Sequence, residues 1–333
     1  MSDNDKHSVD GPPKNWDSHQ LKLRASFLQS SPWGYFQRQQ GHKVYFLNGK
    51  NWSCLLAERR IPAGRYLFAP YGPTLAKPSS LKNCIEELKA YSRWAGADWL
   101  SLEPMVTDSG SDGLRDGLVR LGGKKVRNRE PDLTRIVDLK PPAEEILAGI
   151  SQSTRSFIRK SQREGLLSFQ TSTDPSDIKL FTTMLGHVSG RNKVFFFTDE
   201  YFQKQAQTLM PAGMLRLEIA LKDGQPVASA LFHDYGETSS YTYAASLPEA
   251  RQASASALLL WQAMLNAKER GVKQLDLFGI APDDASSNHP WSGFSSFKKK
   301  FGGEVVAYAG TWDFPLSPKY RFYRAAQRLR TKH

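Results

Sequence analysis

The alternation of apolar and polar residues sets out two similar series of elements along the chain. Residues 43 to 58, "KVYFLNGKNWSCLLAE", predict a hairpin, with strand-like runs on either side of Asn48-Gly49, a dipeptide that tolerates a tight type I′ turn. A strand region punctuated by proline and glycine follows, "GRYLFAPYGPTL". Helical spacing then runs through "SSLKNCIEELKAYSRWAG", opened by serine and ended by Gly96. "ADWLSLEP" predicts a strand, "DGLRDGLVRLGG" a helix and "RIVDL" a further strand before Pro141-Pro142.

Beyond the two prolines the pattern restarts. "PAEEILAGI" and "STRSFIRKSQREG" predict short helices. Residues 214 to 246 predict a three-stranded meander turning at Asp223-Gly224 and near Gly236. A long helix, "ASALLLWQAMLNAKERG", leads into the strand "VKQLDLFGI". The segments "WAGADWLSL" and "ERGVKQLDL" align without gaps, matching Gly96 with Gly271, Leu100 with Leu275 and Leu102 with Leu277. A helix closed by glycine before a strand is a common connection by itself. Here both copies also follow antiparallel strands, which predicts two α+β units divided near residue 140.

Composition narrows the class. The chain has 333 residues, 40% of them hydrophobic, enough for two cores. Its formal charge of +12 favours polyanionic partners: nucleic acid, an anionic membrane surface or a phosphorylated substrate. Cys54 and Cys84 have no metal-type spacing, which argues for a reducing compartment. The polar start, "MSDNDKHSVDGPPKNWDS", has no apolar segment of signal-peptide type, and no apolar run reaches membrane-spanning length. A cytoplasmic protein with a disordered tail at residues 1–18 is the expectation.

Several chemistries lack their motif. No P-loop, dinucleotide fingerprint or Gly-x-Ser-x-Gly elbow is present, and seven scattered histidines give no metal or triad pattern. His187 and His233 therefore read as ordinary packing or surface residues. Acetyltransferases of the GNAT type cradle a pyrophosphate on a glycine-rich loop that opens a helix. At the equivalent place this chain reads "RQASAS", with Arg251 retained but Ser254 and Ser256 where glycines would sit.

Five ordered segments of the second half carry a family resemblance: "STRSFIRKSQREGL", "GRNKVFFFTDEYF", "SYTYAAS", "LDLFGI" and "GFSSFKKKFGG". With "LQSSPWGYFQRQQG", "YGPTL" and "PDLTRIVDL", the chain resembles the FemABX peptidoglycan aminoacyltransferases over roughly residues 25 to 323. The resemblance implies two tandem GNAT-like domains, each a mixed, mostly antiparallel sheet with flanking helices. The first would take residues 19–140 plus 308–333 and the second residues 141–307. It also implies transfer of an amino acid from aminoacyl-tRNA to an amine on the stem peptide of a peptidoglycan precursor, with no metal or coenzyme A. The spacing between Arg159 and Arg191 leaves no room for the long helical arm of some relatives. The chain is thus more similar to compact members that use UDP-linked muropeptide, while others use lipid II.

An aminoacyl ester is already activated, so such a reaction needs alignment and a donor for the tetrahedral oxyanion rather than an enzyme nucleophile. In a helix, Phe294, Phe297 and Phe301 would form one apolar stripe. At about 100° per residue, Lys298 lies roughly 70° from its centre, Lys300 about 90° and Lys299 nearly opposite. The family comparison likewise matches Phe297-Lys298 to a pair at the tRNA acceptor end, with the lysine stabilising the oxyanion. It matches Arg191 to an arginine on the precursor's phosphates and Tyr243 to a tyrosine lining that site. The family's Trp-x-x-x-Lys motif is broken: Trp33 is followed by Gln37, leaving Arg38 as the substitute.

Arg155, Arg159 and Arg163 recur every four residues as one basic helical face, with Lys160 beside it. They and Lys299 and Lys300 are candidate contacts for tRNA phosphates; the plain alternative is a solvated basic surface. The terminal "KYRFYRAAQRLRTKH" reads as a basic helix that packs on the first domain, with tRNA or an anionic membrane surface as alternatives for its outer face. Asp276 is a candidate for orienting the site. Two other readings remain: an acyl-CoA-dependent N-acyltransferase of GNAT type acting on an envelope-related amine, and a non-catalytic RNA- or envelope-binding module.

Overall fold

A computed structural model of the chain describes residues 7–8, 11–106, 113–192, 197–251, 254–286 and 291–330. Two compact units result, residues 1–132 with 307–333 and residues 133–306.

The sheet of the first unit contains β1 (His7–Ser8), β2 (Val44–Gly49), β3 (Trp52–Ile61), β4 (Gly64–Ala69), β5 (Thr74–Leu75), β6 (Trp99–Leu102), β7 (Lys124–Lys125) and β15 (Trp312–Pro315). Its order is β1-β2-β3-β4-β6-β15-β7, with β5 on β3. Helices α1 (Trp16–Lys22), α2 (Ser31–Gln39), α3 (Leu81–Trp94), α4 (Leu114–Arg120) and α11 (Lys319–Arg330) complete the unit. Strand alternation divides the apolar residues between the two faces. Tyr45, Leu47, Cys54, Leu56 and Leu67 meet Ile85 and Leu88 of α3 in one core, while Val44, Phe46 and Leu55 pack with Trp16 in another cluster.

The second sheet runs β14-β8-β13-β12-β11-β10-β9. These strands are β8 (Leu133–Asp138), β9 (Ser168–Ser172), β10 (Leu215–Lys222), β11 (Gln225–Tyr235), β12 (Thr238–Ser246), β13 (Gln274–Asp276) and β14 (Glu304–Ala307). Its helices are α5 (Ala143–Gly149), α6 (Gln152–Glu164), α7 (Ile178–Asn192), α8 (Asp199–Leu209), α9 (Ala255–Glu269) and α10 (Ser292–Lys299). The meander β10-β11-β12 forms with the expected turns, Asp223 and Gly224 both taking positive φ.

Each unit carries the same crossover. Parallel β4 and β6 are joined through α3, and parallel β12 and β13 through α9. Gly96 and Gly271 follow those helices with φ of +73° and +82°, the left-handed backbone that favours glycine. Sheets of mixed, mostly antiparallel strands with flanking helices are therefore present in both units.

Four expectations change. The first hairpin turns at Lys50-Asn51, because Asn48 and Gly49 pair with Ser53 and Trp52 inside the ladder. Gly49 is needed there for another reason: a Cβ on it would meet the Trp52 indole at 2.0 Å. Strand β8 pairs with β13, so the division falls after Asp132 rather than near residue 140. Residues 1–18 are not all tail. His7–Ser8 pairs with β2, and Trp16 is buried, donating Nε1–H to the Gln29 carbonyl at 2.8 Å. Finally, Phe294 is 48% exposed and leaves the predicted stripe to Phe297 and Phe301 alone. The helix ends at Lys299, so Phe301 reaches the core from the turn beyond it.

The terminal helix packs on the first unit, as its tyrosines suggest. Trp99 is stacked between Tyr66 at 4.6 Å and Tyr323 at 4.7 Å, and the buried Tyr320 donates its hydroxyl to Asp313 at 3.2 Å. Among the described residues no helix is long and apolar enough to cross a membrane.

Candidate active site

The end of β13 and the α10 turn create the most distinctive chemistry of the second unit. Two adjacent glycines let the chain close there. Gly302 (φ +70°) and Gly303 (φ +77°) run so near other backbone that a Cβ would stand 2.7 Å from the Gly149 oxygen or 2.5 Å from the Ile136 oxygen. With the turn held, buried Phe301 packs 5.3 Å from Phe297, centroid to centroid.

Lys298 is half-buried beside the loop after β13. Its Nζ donates to the carbonyl oxygens of Gly279 at 2.7 Å and Phe278 at 3.2 Å. Burial lowers its pKa to about 8, against the opposing pull of the Asp276 carboxylate. The ammonium has a third N–H with no partner among the described residues. Lys299 and Lys300, by contrast, are exposed.

Asp276 shapes the loop that receives the lysine. Its Oδ1 accepts from the Thr134 hydroxyl and, at 2.7 Å, from the Phe278 amide. Phe278 itself has φ +58°, an unusual backbone for an aromatic residue, and its carbonyl is one of the two that bind Lys298. Desolvation raises the Asp276 pKa, partly offset by those donors and by Lys298.

Beside this turn lies a cleft of about 380 Å³ lined by Phe297, Lys300 and Phe301, by Ser153, Thr154 and Phe157 of α6, and by Ser254, Ser256 and Ala257 at the start of α9, with Ser246 and Ala250. Ser254 has φ +42°, so it holds the left-handed backbone that glycine would adopt more cheaply. The cleft thus presents serine hydroxyls at the start of α9.

The other expected site residues lie elsewhere. Tyr243 is half-buried on β12, with edge-on contacts to Phe202 at 5.1 Å and Phe197 at 6.2 Å. Arg191 lies in the last turn of α7, with its side chain outside the described residues. Arg155 spends its guanidinium on the α5 end, donating to Ala148 O at 2.7 Å and Ile150 O at 3.0 Å. Arg159 pairs with Glu144 at 3.5 Å, and exposed Arg163 has no ion-pair partner among the described residues. Arg159 and Arg163 line a shallow groove with Ser156 and Gln162.

In the first unit, Gln37 is buried and accepts from Arg59 at 2.6 Å, whereas Arg38 swings to a separate basic pocket. Sequence reasoning missed a buried polar network here. Glu103, just past β6, accepts on Oε1 from the Arg129 and Glu130 amides and the Thr311 hydroxyl, while its buried Oε2 has no hydrogen-bond partner among the described residues. Burial and the Glu103 charge push the neighbouring Glu130 carboxyl well above the usual carboxylate range. The only signal in the sequence was an acidic residue placed directly after an apolar strand, "LSLEP". Among the described residues no three His, Cys, Asp or Glu side chains form a group that could hold a metal ion.

Two α+β units of mixed sheets with flanking helices, and a lysine held at a strand end in the second, define the fold and the candidate site. The FemAB family model matches residues 216–328 of the chain. The crystal structure of FemX superposes with a TM-score of 0.83 at 16% identity, covering 94% of this chain and 97% of that one. L-PGS from Bacillus licheniformis follows at 0.58 and 13%, covering 96% and 97%. A tandem GNAT protein from the clavulanic acid biosynthesis pathway gives 0.52 and 11%, covering 91% and 96%. At these identities the likenesses establish the fold. No curated protein matched the chain.

Proposed function

We propose that the protein transfers an amino acid from aminoacyl-tRNA to an amine on the stem peptide of a peptidoglycan precursor. The observation that carries this reading is the half-buried Lys298 ammonium on α10, held by two carbonyls of the loop after β13 with one N–H left over. An acceptor amine attacking an ester carbonyl generates an oxyanion, and a fixed, desolvated cation is the donor that such a step requires. Proton and leaving group balance simply: the amine loses a proton and the ribose oxygen gains one as the ester C–O bond breaks. Phe297 would hold the acceptor end of the tRNA beside the lysine, and Lys299, Lys300, Arg159 and Arg163 would meet its phosphates. Arg191 and Tyr243 would contact the precursor. The FemAB match over residues 216–328 supports acyl transfer in connection with peptidoglycan; the tRNA donor is the finer part of the proposal.

The competing acyl-CoA reading requires backbone amides to approach a pyrophosphate closely at the start of α9, and there the side chains of Ser254 and Ser256 take the place of glycine. The deciding experiment incubates the protein with a panel of charged tRNAs and UDP-linked or lipid-linked precursor, and follows labelled amino acid. Acetyl transfer from coenzyme A, with none from any tRNA, would sink the proposal.

A further inference from the structure

At the opposite end of β4 and β6 from Glu103, the first unit carries a basic pocket that the proposed chemistry leaves unused. Local structure brings it together. Helix α2 ends at Gln39, Gly41 turns with φ +82°, and β2 begins at Val44. The start of β4 and the end of α3 reach the same place, because the Asp98 amide donates to the Arg65 carbonyl and the Glu58 amide to the Lys43 carbonyl.

The pocket measures about 500 Å³, and Arg38, His42, Lys43, Tyr45, Arg65 and Trp94 line it. No carboxylate does. Glu58 lies buried beneath, already engaged by Arg60 at 2.8 Å, Arg65 at 3.7 Å and the Tyr45 hydroxyl at 3.2 Å. Arg65 is locked in place on the Gly96 carbonyl at 2.6 Å, a fit that a Cβ on Gly96 would block at 2.1 Å from the guanidinium. Lys43 is exposed and has no ion-pair partner among the described residues. Trp94 is 75% exposed, resting against Tyr91 at 5.3 Å and leaving most of its indole to solvent.

We propose that this pocket binds RNA, with a phosphate between Arg38 and Lys43 and a base stacked on Trp94. Exposed Arg60 lies opposite Arg65 in the β3–β4 ladder and exposed Arg93 precedes Trp94, cations suited to flanking phosphates rather than to one small ligand. His42, kept neutral at about pKa 4 by burial and by Arg59, adds no charge to the pocket at neutral pH. The recognition is therefore by stacking and charge, tolerant of sequence. The proposal extends the tRNA reading yet rests on its own geometry, so it survives if the acyl donor is something else.

The test is binding of labelled uncharged tRNA and of a short unstructured oligoribonucleotide to the full-length protein. Trp94→Ala should weaken binding about 5- to 100-fold. Lys43→Glu should weaken it and flatten the salt dependence by about one to two units of slope. Both residues are exposed, so unchanged thermal unfolding should accompany both losses. Wild-type affinity in both variants overturns the proposal. So does Trp94-dependent binding of phosphatidylglycerol vesicles without RNA binding, or of a free nucleoside monophosphate as tightly as RNA. Trp94-dependent RNA binding without aminoacyl transfer keeps this proposal and removes the previous one.

Discussion

Lys298 donates to the carbonyl oxygen of Gly279 at 2.7 Å, and with its bond to Phe278 this ties the α10 turn to the loop that follows β13. Replacing Lys298 by alanine should cost transfer about 100-fold in turnover, the scale of losing one preorganised oxyanion donor. Steady-state kinetics with saturating precursor would show it, and normal turnover would refute the role assigned to Lys298.

The same lysine predicts a pH dependence. Its pKa is lowered to about 8, so the cation is present at neutral pH and is lost as pH rises through that value. Single-turnover transfer should therefore decline on the alkaline side with a midpoint near 8. A rate that keeps climbing through pH 9 would show that the charge is not used.

Glu130 should weaken the fold as pH rises from about 4.3 to about 8. Its folded-state pKa is raised to about 8 by burial and by Glu103, above an unfolded value of about 4.3. Between those values the unfolded chain has released the proton that the folded chain retains, so stability falls with rising pH across that window. Glu130→Gln should remove the slope, raising the urea midpoint at pH 8 while leaving it unchanged at pH 4.

Two glycines of one segment should respond oppositely. Gly303→Ala forces a Cβ to 2.5 Å from the Ile136 oxygen in a left-handed conformation, at a cost of about 2 kcal/mol or more. Gly293→Ala, inside α10 with nothing within 4 Å, should be neutral or stabilise by about 0.5–1 kcal/mol. Denaturant titration of the two variants side by side reads both signs.

In the second unit, Arg216 is buried against Glu218, with Asp234 at 2.9 Å and the Phe232 ring at 4.4 Å. Arg216→Met would leave the fully buried Glu218 without its cation and should cost about 3–5 kcal/mol. Adding Glu218→Gln should recover much of that loss, because the uncompensated charge is what destabilises. Equal instability in the single and double variants would argue for packing instead.

The amino-acid sequence alone determined the elements and their repetition. Apolar periodicity marked β10 to β12, α3 and α9, and glycines at 96 and 271 marked the paired crossovers, since left-handed helix ends are a local backbone requirement. Helical spacing also separated Lys298 from Lys299, because angular position on a short helix follows from residue count. Local signals had no access to partners distant in sequence. Whether Asn48-Gly49 turned or paired depended on Trp52 lying over Gly49, and whether Phe294 was covered depended on how far the core reached. Arg155 looked like its neighbours until the α5 carbonyls claimed it. Glu103 became a chemically unusual group only when Arg129, Glu130 and Thr311 closed around it, since desolvation is a property of the packed neighbourhood and not of the residue.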